Sequence, residues 1–210
     1  MIENKIVKTL PERTVERLSE YRRMLLTQLS LGRSHIYSHE LAHMHSITAV
    51  QVRRDLMLIG FSSDAKRGYD IKELVEFIGK ILDSDQPRNV AIIGMGNLAQ
   101  AITQYFNGKR RKLKIVEAFD VDPQKVGRDV VGIPCYDVST FVDRAAQSNV
   151  ELVILACPSS AVGAMIEPIE KAKVKGVLNF TSSPLVFNKD IFVADYDIIS
   201  LLEKVAYFTK

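Results

Sequence analysis

The chain is poor in cysteine and has no long hydrophobic run. Of its 210 residues only Cys135 and Cys157 are cysteines, too few for a disulfide scaffold and typical of a protein kept in a reducing compartment. The longest largely apolar runs, such as Val150–Ala156, fall far short of the roughly 18 residues that span a bilayer. The N-terminus also lacks the apolar stretch of a signal peptide. We therefore expect a cytoplasmic protein without membrane contact.

A strong net charge is missing as well. The formal charge is +3, and residues 1–86 hold 13 Lys and Arg against 12 Asp and Glu. Residues 87–210 hold 15 against 13. Bulk charge therefore cannot support a nucleic-acid partner, and any such argument depends on where particular charges lie.

Two different patterns meet at Asp83–Arg88, a polar segment that contains a proline. Before it, apolar residues recur at helical spacing; after it, β-like runs alternate with helical stretches. This change predicts an N-terminal domain over residues 1–84 and a second domain over 85–196, with a C-terminal helix over 197–210.

The first domain is predicted to be mostly helical. Capping boxes at Thr9-x-x-Glu12 and Thr48-x-x-Gln51 mark the starts of two helices. In chain order, the predicted elements are a helix from Thr9, a short helix over Ser38–Met44, a helix over Thr48–Gly60, a hairpin over Phe61–Tyr69 and a helix over Ile71–Ile81. Helix, turn, capped helix and hairpin is the order of a winged helix-turn-helix.

The helix that begins at Thr48 is the candidate for reading DNA. Val52, Leu56 and Ile59 lie at i, i+4 and i+7 and predict its buried face. Arg53 and Arg54 then face outward, where guanidinium groups suit guanine edges and phosphates. A solvated helix face that binds nothing is an equally open interpretation. The residues predicted to meet DNA are Ser38, Thr48, Val50, Gln51, Arg53, Arg54, Lys66, Arg67 and Tyr69.

The second domain alternates between strand and helix patterns. The predicted strands are Val90–Ile93, Leu113–Phe119, Glu151–Ala156 and Gly176–Phe180, and the predicted helices are Asn97–Phe106, Thr140–Gln147 and Ser160–Ala172. Such βαβ alternation predicts a parallel sheet covered by helices on both faces, an α/β Rossmann-like domain.

A glycine turn between the first strand and helix of this domain predicts a dinucleotide site. The residues Gly94-Met-Gly-Asn-Leu-Ala99 form the pattern G-x-G-x-x-A. Gly94 permits the tight turn, Gly96 lets the backbone approach a pyrophosphate, and Ala99 allows close packing of helix on strand. The helix N-terminus offers free N–H donors to the phosphates.

An acidic residue at the end of the next strand favours NAD over NADP. Asp120 follows Phe119 at the position where ribose hydroxyls are expected, so it would accept from the 2′-OH and repel a 2′-phosphate. A metal site formed with Asp122 is the less simple interpretation. A glycine turn that binds nothing, or another nucleotide, is the remaining alternative.

The chain lacks the usual parts of a dehydrogenase. Such an enzyme needs a proton-transferring side chain near the nicotinamide and a second domain for substrate. All four histidines lie within residues 35–45, and only 30 residues follow Phe180. We therefore predict binding without turnover, as in a sensor. A small NAD(P)-dependent oxidoreductase whose N-terminal helices serve dimerisation is the alternative.

Both halves together resemble the Rex family of bacterial redox-sensing repressors. The matching pieces are Arg17-Leu-x-x-Tyr21, Gln51-Val-Arg-Arg-Asp-Leu56, Tyr69, Gly94-x-Gly-Asn-Leu98, Phe119-Asp-Val-Asp-Pro123 and Lys175-Gly-Val-Leu-Asn-Phe180. The resemblance implies a homodimer on a palindromic double-stranded operator, released when NADH replaces NAD⁺. It also implies a coupling contact between the domains through Arg23, Tyr105 and Asp197.

The residues expected to bind NADH and NAD⁺ cluster at the strand ends of the second domain. They are Gly94, Met95, Gly96, Asn97, Leu98, Ala99, Tyr105, Asp120, Cys157, Pro158, Asn179 and Phe180. Cys157 could be a thiol sensor beside the nicotinamide, but a small packed residue is the simpler interpretation. No metal is expected, because the repeat of His35, His39 and His43 is interrupted by a helix break.

The C-terminal stretch Asp197–Phe208 predicts a helix that is apolar on nearly every side. Ile198, Leu201, Leu202 and Val205 form one stripe, while Ile199 and Ala206–Phe208 extend the apolar surface to the other faces. A helix at the surface of a small domain would keep one polar face. We therefore expect it to pack into a second subunit, as a domain-swapped helix, in agreement with the resemblance.

Overall fold

The computed structural model describes residues 10–62, 67–106 and 112–209. The chain divides into two compact units, Met1–Asp85 and Gln86–Lys210. Each unit has its own hydrophobic core, and each is described by itself below.

The first unit has its four helices in the predicted order, but its strand pairing differs from the predicted Phe61–Tyr69 hairpin. The strand that contains Tyr69 pairs with an unpredicted strand that precedes the second helix, and residues 63–66 lie outside the described residues. Its elements are α1 (Glu12–Ser30), β1 (His35–Ile36), α2 (Ser38–Met44), α3 (Ala49–Leu58), β2 (Tyr69–Asp70) and α4 (Ile71–Leu82). β1 and β2 pair antiparallel, with Ile36 opposite Tyr69. Where β2 is entered, a Cβ on Gly68 would lie 2.7 Å from the Ile36 carbonyl oxygen, so only glycine fits this close approach.

The first helix starts later than its capping pattern predicts. α1 begins at Glu12 with Pro11 in the N-cap position and no side-chain cap, and Thr9 lies outside the described residues. Proline is tolerated at a helix start because its missing N–H would have no intrahelical partner. Leu18, Tyr21 and Leu25 form the fully buried stripe of this helix.

The helix predicted to read DNA has the expected cap. Thr48 is the N-cap of α3, and its hydroxyl accepts a hydrogen bond from the Gln51 N–H at 3.2 Å. Val52 and Leu56 are buried in the core of the unit, and Ile59 is packed against it. α3 ends at Leu58, two residues before the predicted end.

The second unit is built around a mostly parallel sheet. Its elements are β3 (Arg88–Ile93), α5 (Asn97–Phe106), β4 (Leu113–Asp120), β5 (Arg128–Val130), β6 (Ile133–Asp137), a 3₁₀ turn (Val138–Thr140), α6 (Phe141–Gln147), β7 (Val150–Leu155), α7 (Ser159–Lys171), β8 (Gly176–Asn179), β9 (Phe192–Asp195) and α8 (Ile198–Phe208). Within the described residues, seven strands lie in the order β5-β6-β4-β3-β7-β8-β9. Among these seven described strands, β5 alone runs antiparallel to its neighbour.

Helices cover both faces of this sheet. Successive side chains of a strand point to opposite faces, so each face has its own apolar side chains to bury. Ala91 and Ile93 of β3 belong to a core with α6 and α7, while Val90 and Ile92 belong to a core with α5. The chain leaves β3 toward β4 on one side and returns to β7 on the other. Ligands of such sheets bind at this reversal, outside the carboxyl ends of the strands.

Three strands of the second unit were not anticipated from the sequence. β5 and β6 form a hairpin at one edge of the sheet, and β9 extends the other edge beside β8. Exposed residues make up most of β5 and half of β9, including Phe192. Short edge strands of this kind lack the apolar pattern by which buried strands are recognised.

The C-terminal helix α8 buries none of its residues. Leu202 is 63% exposed and Phe208 is 76% exposed, although the helix is well capped by Asp197, whose carboxylate accepts from the Ile199 N–H at 2.9 Å. Isolated helices of this length are marginal in water. The apolar faces of α8 therefore have no cover within the described part of this chain.

Candidate functional site

The glycine turn after β3 lies in close backbone contact with the connection between β7 and α7. Gly94 has φ +88°, and a Cβ on it would lie 2.6 Å from the backbone nitrogen of Cys157. Any other residue would be strained in φ and would collide with backbone. A Cβ on Gly96, by contrast, meets nothing within 4 Å. Gly94 thus serves the turn, while Gly96 faces open space.

The start of α5 presents backbone to this open space. Gly96, Asn97 and Leu98 are exposed, while Ala99 is fully buried against the sheet. The first N–H groups of a helix have no intrahelical partners and carry partial positive charge, a combination that suits phosphate. Met95 differs from the expectation: its side chain is buried and its N–H donates to Asp120 at 2.7 Å. That N–H is not free for a ligand.

Asp120 is surrounded by donors at the end of β4. Besides the Met95 N–H, it accepts from the Asp122 N–H at 2.9 Å and from Lys125 Nζ at 3.1 Å. Burial by itself would raise the pKa of Asp120, but these hydrogen bonds and the Lys125 charge outweigh it and hold the pKa below its ordinary value. Asp120 is therefore a carboxylate at neutral pH.

These elements border a cavity of about 510 Å³. The predicted residues that line it are Gly94, Gly96, Asp120, Cys157 and Pro158, and the cavity also touches Lys125. It is large enough for part of a dinucleotide and lies where the strand order reverses. The structure thus brings together the glycine turn, the Asp120 carboxylate and the β7–α7 connection, as expected.

Two predicted cofactor residues make contacts within the unit. Asn179 is buried, and its amide donates to the Ser183 carbonyl at 3.0 Å and to Asp195 at 2.7 Å, while its oxygen accepts from Thr181. The Phe180 ring packs toward Tyr196, with centroids 5.2 Å apart. Neither borders the cavity. Asn179 organises the loop after β8, and a direct ligand role would need that network to be exchanged.

Tyr105 lies far from the cavity along its own helix. It is eight residues beyond the start of α5, which corresponds to about 12 Å at the usual helical rise, and it is 65% exposed. Of the other two residues of the implied coupling contact, Arg23 is exposed on α1 and Asp197 caps α8. Ser200 and Ile199 hold the pKa of Asp197 below its usual value through those cap hydrogen bonds.

Cys157 is part-buried at the border of the cavity. Burial raises the pKa of its thiol above the ordinary value, so the unreactive thiol form is favoured at neutral pH. The geometry agrees with a small packed residue more than with a reactive sensor.

In the first unit, several predicted DNA residues converge around α3. Arg54 and Val50 are exposed. Arg53 donates to the Ser38 hydroxyl at 3.0 Å, and Ser38, Arg53 and Tyr69 border one surface cavity of about 410 Å³. Arg67 is exposed, and Lys66 lies outside the described residues.

Gln51, one of the residues predicted to meet DNA, has a side chain that is hydrogen-bonded within the unit. Its side-chain amide donates to Asp55 Oδ1 at 2.9 Å. Asp55 also accepts from both Nε and Nη2 of Arg17, at 2.7 Å each, and from the Tyr21 hydroxyl at 2.9 Å. We call Arg17, Tyr21, Gln51 and Asp55 the Asp55 cluster. It joins α1 to α3, and sequence reasoning recognised its residues as family motifs but not as partners.

Burial and hydrogen bonding oppose each other within the Asp55 cluster. Burial would raise the pKa of Asp55, but the donors from Arg17, Tyr21 and Gln51 hold it below its ordinary value. Burial and the hydrogen bond to Asp55 raise the pKa of Tyr21. At neutral pH the cluster is therefore a carboxylate, a guanidinium and a neutral phenol.

Two negative findings concern the described residues only. Among them, no three or more His, Cys, Asp or Glu side chains are grouped so as to hold a metal ion. Within the same ranges, no helix is both long and apolar enough to cross a membrane.

Family models match both parts of the chain. The model described as “CoA binding domain” matches residues 85–183, and the model described as “Putative DNA-binding protein N-terminus” matches residues 9–56. The first covers the glycine turn and most of the sheet, and the second covers α1–α3 up to Leu56.

Curated relatives match almost the whole chain. The redox-sensing transcriptional repressor Rex of Listeria welshimeri is 34% identical over 201 residues, 96% of this chain and 94% of the relative. Rex 1 of Enterococcus faecalis is 32% identical, over 95% of this chain and 92% of the relative.

The chain belongs to the Rex family of redox-sensing transcriptional repressors.

Solved Rex-family structures share the fold. RSP in complex with β-NAD⁺ and operator DNA is 28% identical, covers 95% of this chain and 92% of its own, and has a TM-score of 0.86. RSP in complex with β-NADH is 29% identical, covers 96% and 94%, and has a TM-score of 0.84. The predicted combination of a winged helix-turn-helix and a Rossmann-like domain is thereby confirmed. Because Rex proteins are repressors, the oxidoreductase alternative loses its support.

Proposed function

We infer that the protein is a DNA-binding transcriptional repressor that senses the NADH/NAD⁺ ratio and leaves its operator on binding NADH. The observation that carries this conclusion is the full-length match to a Rex repressor solved with β-NAD⁺ and operator DNA, and to the same repressor with β-NADH. Acting on DNA, it would work in the cytoplasm of a bacterial cell.

The residues at the glycine turn fit a dinucleotide. The pyrophosphate would lie over Gly96 and the first N–H groups of α5, where no side chain intervenes. Asp120 would accept from a ribose hydroxyl, because a carboxylate with three donors still has capacity for a further one. The nicotinamide end would extend toward Cys157 and Pro158, which border the same cavity.

The candidate DNA interface is α3 with the start of α2 and β2. Arg54 would contact DNA from the exposed surface of α3, whereas Arg53 is oriented by its hydrogen bond to Ser38. The Asp55 cluster fixes α3 against α1 and so determines the direction in which both arginines project. Arg67 would meet the phosphate backbone beside this helix.

The exposed α8 supports a domain-swapped homodimer. Its apolar side chains have no cover in the described chain, and a second subunit would supply it. Two subunits would also present two copies of α3, as a palindromic operator requires. Deleting residues 197–210 should give monomers or aggregates that no longer bind such an operator. A stable truncated dimer in sedimentation would contradict the swap.

The function is tested by operator binding in the presence of each nucleotide. Fluorescence anisotropy of a labelled palindromic operator should show binding that weakens as salt rises. NADH should release the protein at concentrations where NAD⁺ does not. Operator binding that ignores both nucleotides, or turnover of NADH with alcohols or hydroxy acids, would contradict the proposal.

A further inference from the structure

Lys125 lies beside the carboxylate expected to meet the ribose. Its Nζ is 3.1 Å from Asp120 Oδ2 and 3.4 Å from Asp122 Oδ2. It also borders the same cavity as the glycine turn. A cation is thus already present where the 2′-substituent of the adenosine ribose would lie, and two carboxylates neutralise it.

The chain holds this cation close to Asp120 by a local turn. The Lys125 N–H donates to the Asp122 carbonyl at 2.9 Å, and the Gln124 N–H donates to the Asp122 carboxylate at 2.9 Å. Lys125 is therefore presented by the five residues that follow β4, not by a distant element. Its side chain is 28% exposed, so the ammonium can be reached by a ligand group in the cavity.

The two charges have opposite effects on a 2′-phosphate. A carboxylate at the end of this strand accepts from a 2′-OH and repels a phosphate, whereas a basic residue at the same place accommodates the phosphate of NADP. Here both are present, and the strong hydrogen bond between them engages the cation. The balance between Asp120 and Lys125, not Asp120 alone, then determines which dinucleotide the site accepts.

We propose that Lys125 is a specificity-determining residue: a cation masked by Asp120, which accepts the 2′-phosphate of NADPH once the charge of Asp120 is removed. This inference rests on the proposed function, namely that the cavity binds NADH. It makes the discrimination between NADH and NADPH a property of a charge pair whose two members can be altered separately.

The test is to measure the affinities of the full-length protein for NADH and for NADPH by isothermal titration calorimetry. The variants are Asp120→Asn, Lys125→Met and the double variant. Lys175→Met is the matched control, because Lys175 also pairs with a carboxylate, Glu151 at 2.7 Å, but precedes β8 at the opposite end of the sheet.

Asp120→Asn should raise NADPH affinity at least tenfold, because the amide still has an oxygen acceptor for the Met95 N–H, while Lys125 loses the nearer of its two carboxylates and keeps only Asp122, at 3.4 Å. The double variant should lose that gain. Lys125→Met alone should increase the preference for NADH over NADPH several-fold, since two carboxylates then remain without a cation. Lys175→Met should behave as the unaltered protein.

The failures of the two proposals are distinguishable. The role of Lys125 is overturned if the unaltered protein binds NADH but Asp120→Asn does not increase NADPH affinity. It is also overturned if the increase is equally large in the double variant, which lacks Lys125. If Asp120→Asn does not fold, the comparison of Lys125→Met with the unaltered protein decides. An unchanged or smaller preference for NADH over NADPH in Lys125→Met then overturns the role of Lys125. If the unaltered protein binds neither dinucleotide, the proposed function itself is overturned.

Discussion

Asp55 in the first unit and Asp120 in the second are both carboxylates ringed by hydrogen-bond donors, but the donors differ in kind. Asp55 is 2% exposed and accepts from side chains of Arg17, Tyr21 and Gln51, two of which come from another helix. Asp120 accepts from two backbone N–H groups and a lysine close to it in the chain, and it borders a cavity.

This difference separates a carboxylate that stabilises the fold, Asp55, from one that is placed to bind a ligand, Asp120. A buried carboxylate whose lone pairs are taken by distant side chains holds two helices together, and removing it leaves a guanidinium without its partner. A carboxylate that is held mainly by backbone N–H groups and borders a cavity can be reached by a ligand, and changing it leaves no distant charged side chain without its partner. The first unit therefore uses charge to fix α3, and the second uses it to recognise a nucleotide.

The largest expected effect comes from Asp55→Ala. Breaking a buried ion pair by removing one partner costs about 3–5 kcal/mol. Part-exposed Arg17 recovers some hydration, so we expect about 3 kcal/mol. Urea unfolding should show the loss together with loss of operator binding, while NADH binding by the second unit is retained. The control is Glu16→Ala, which removes an exposed carboxylate of α1, the helix that Asp55 contacts. Equal effects of the two substitutions would contradict the structural role of Asp55.

Asp120→Ala should have the opposite profile. We expect NADH affinity to fall by about 1–3 kcal/mol, the usual cost of an unmatched polar partner, with little change in the unfolding of the first unit. Calorimetry measures the first effect and urea unfolding the second. The control is Asp129→Ala, which removes an exposed carboxylate of β5. Unchanged NADH affinity in the Asp120 variant would remove Asp120 from the site.

Arg54→Ala should weaken operator binding without altering stability, because its side chain is exposed on α3. The loss should be about 1–3 kcal/mol if Arg54 reads a base, and the salt slope should fall by about one if it contacts a phosphate. Anisotropy titrations at several salt concentrations measure both. Arg13→Ala, an exposed arginine on α1, should leave both unchanged; a wild-type profile for Arg54→Ala would exclude α3 from the interface.

The smallest effect concerns alkaline pH. Burial and the hydrogen bond to Asp55 raise the pKa of Tyr21, so its contribution to stability is complete below the unfolded value near 10 and is lost as pH rises beyond it. Urea unfolding between pH 8 and 11 should therefore show a steeper loss for the unaltered protein than for Tyr21→Phe. At pH 7 the substitution should cost about 1 kcal/mol. Parallel pH profiles would show that Tyr21 does not contribute.

Much of the fold was predictable because its signals are local. The Gly94–Ala99 pattern, the alternation of strands and helices and the Thr48 cap each depend on neighbouring residues. The predicted bounds of these strands and helices differ from the structure by at most two residues. Asp120 was predictable from its position at a strand end. The hairpin β5–β6 was missed because its register depends on pairing with β4 rather than on apolar alternation.

The unpredicted parts depend on contacts between distant residues. Arg17 and Asp55 are 38 residues apart, and no spacing rule joins them. An arginine four residues before a tyrosine on the buried side of α1 is a signal that a buried acidic partner exists, but it does not identify the partner. The cofactor role of Asn179 stays a prediction, and the four internal hydrogen bonds of its side chain are visible only in the folded loop.

The central claim is that a nucleotide bound in the second unit controls DNA binding by the first. It is tested most directly by measuring operator affinity against NADH concentration for the unaltered protein and for Asp120→Ala. Because an effector can act only through its own binding, the NADH concentration that releases DNA should rise in the variant by the factor by which its NADH affinity falls, about 5–150-fold. Operator affinity without nucleotide should be equal in the two proteins. Release of both proteins at the same NADH concentration, despite different NADH affinities, would contradict the account.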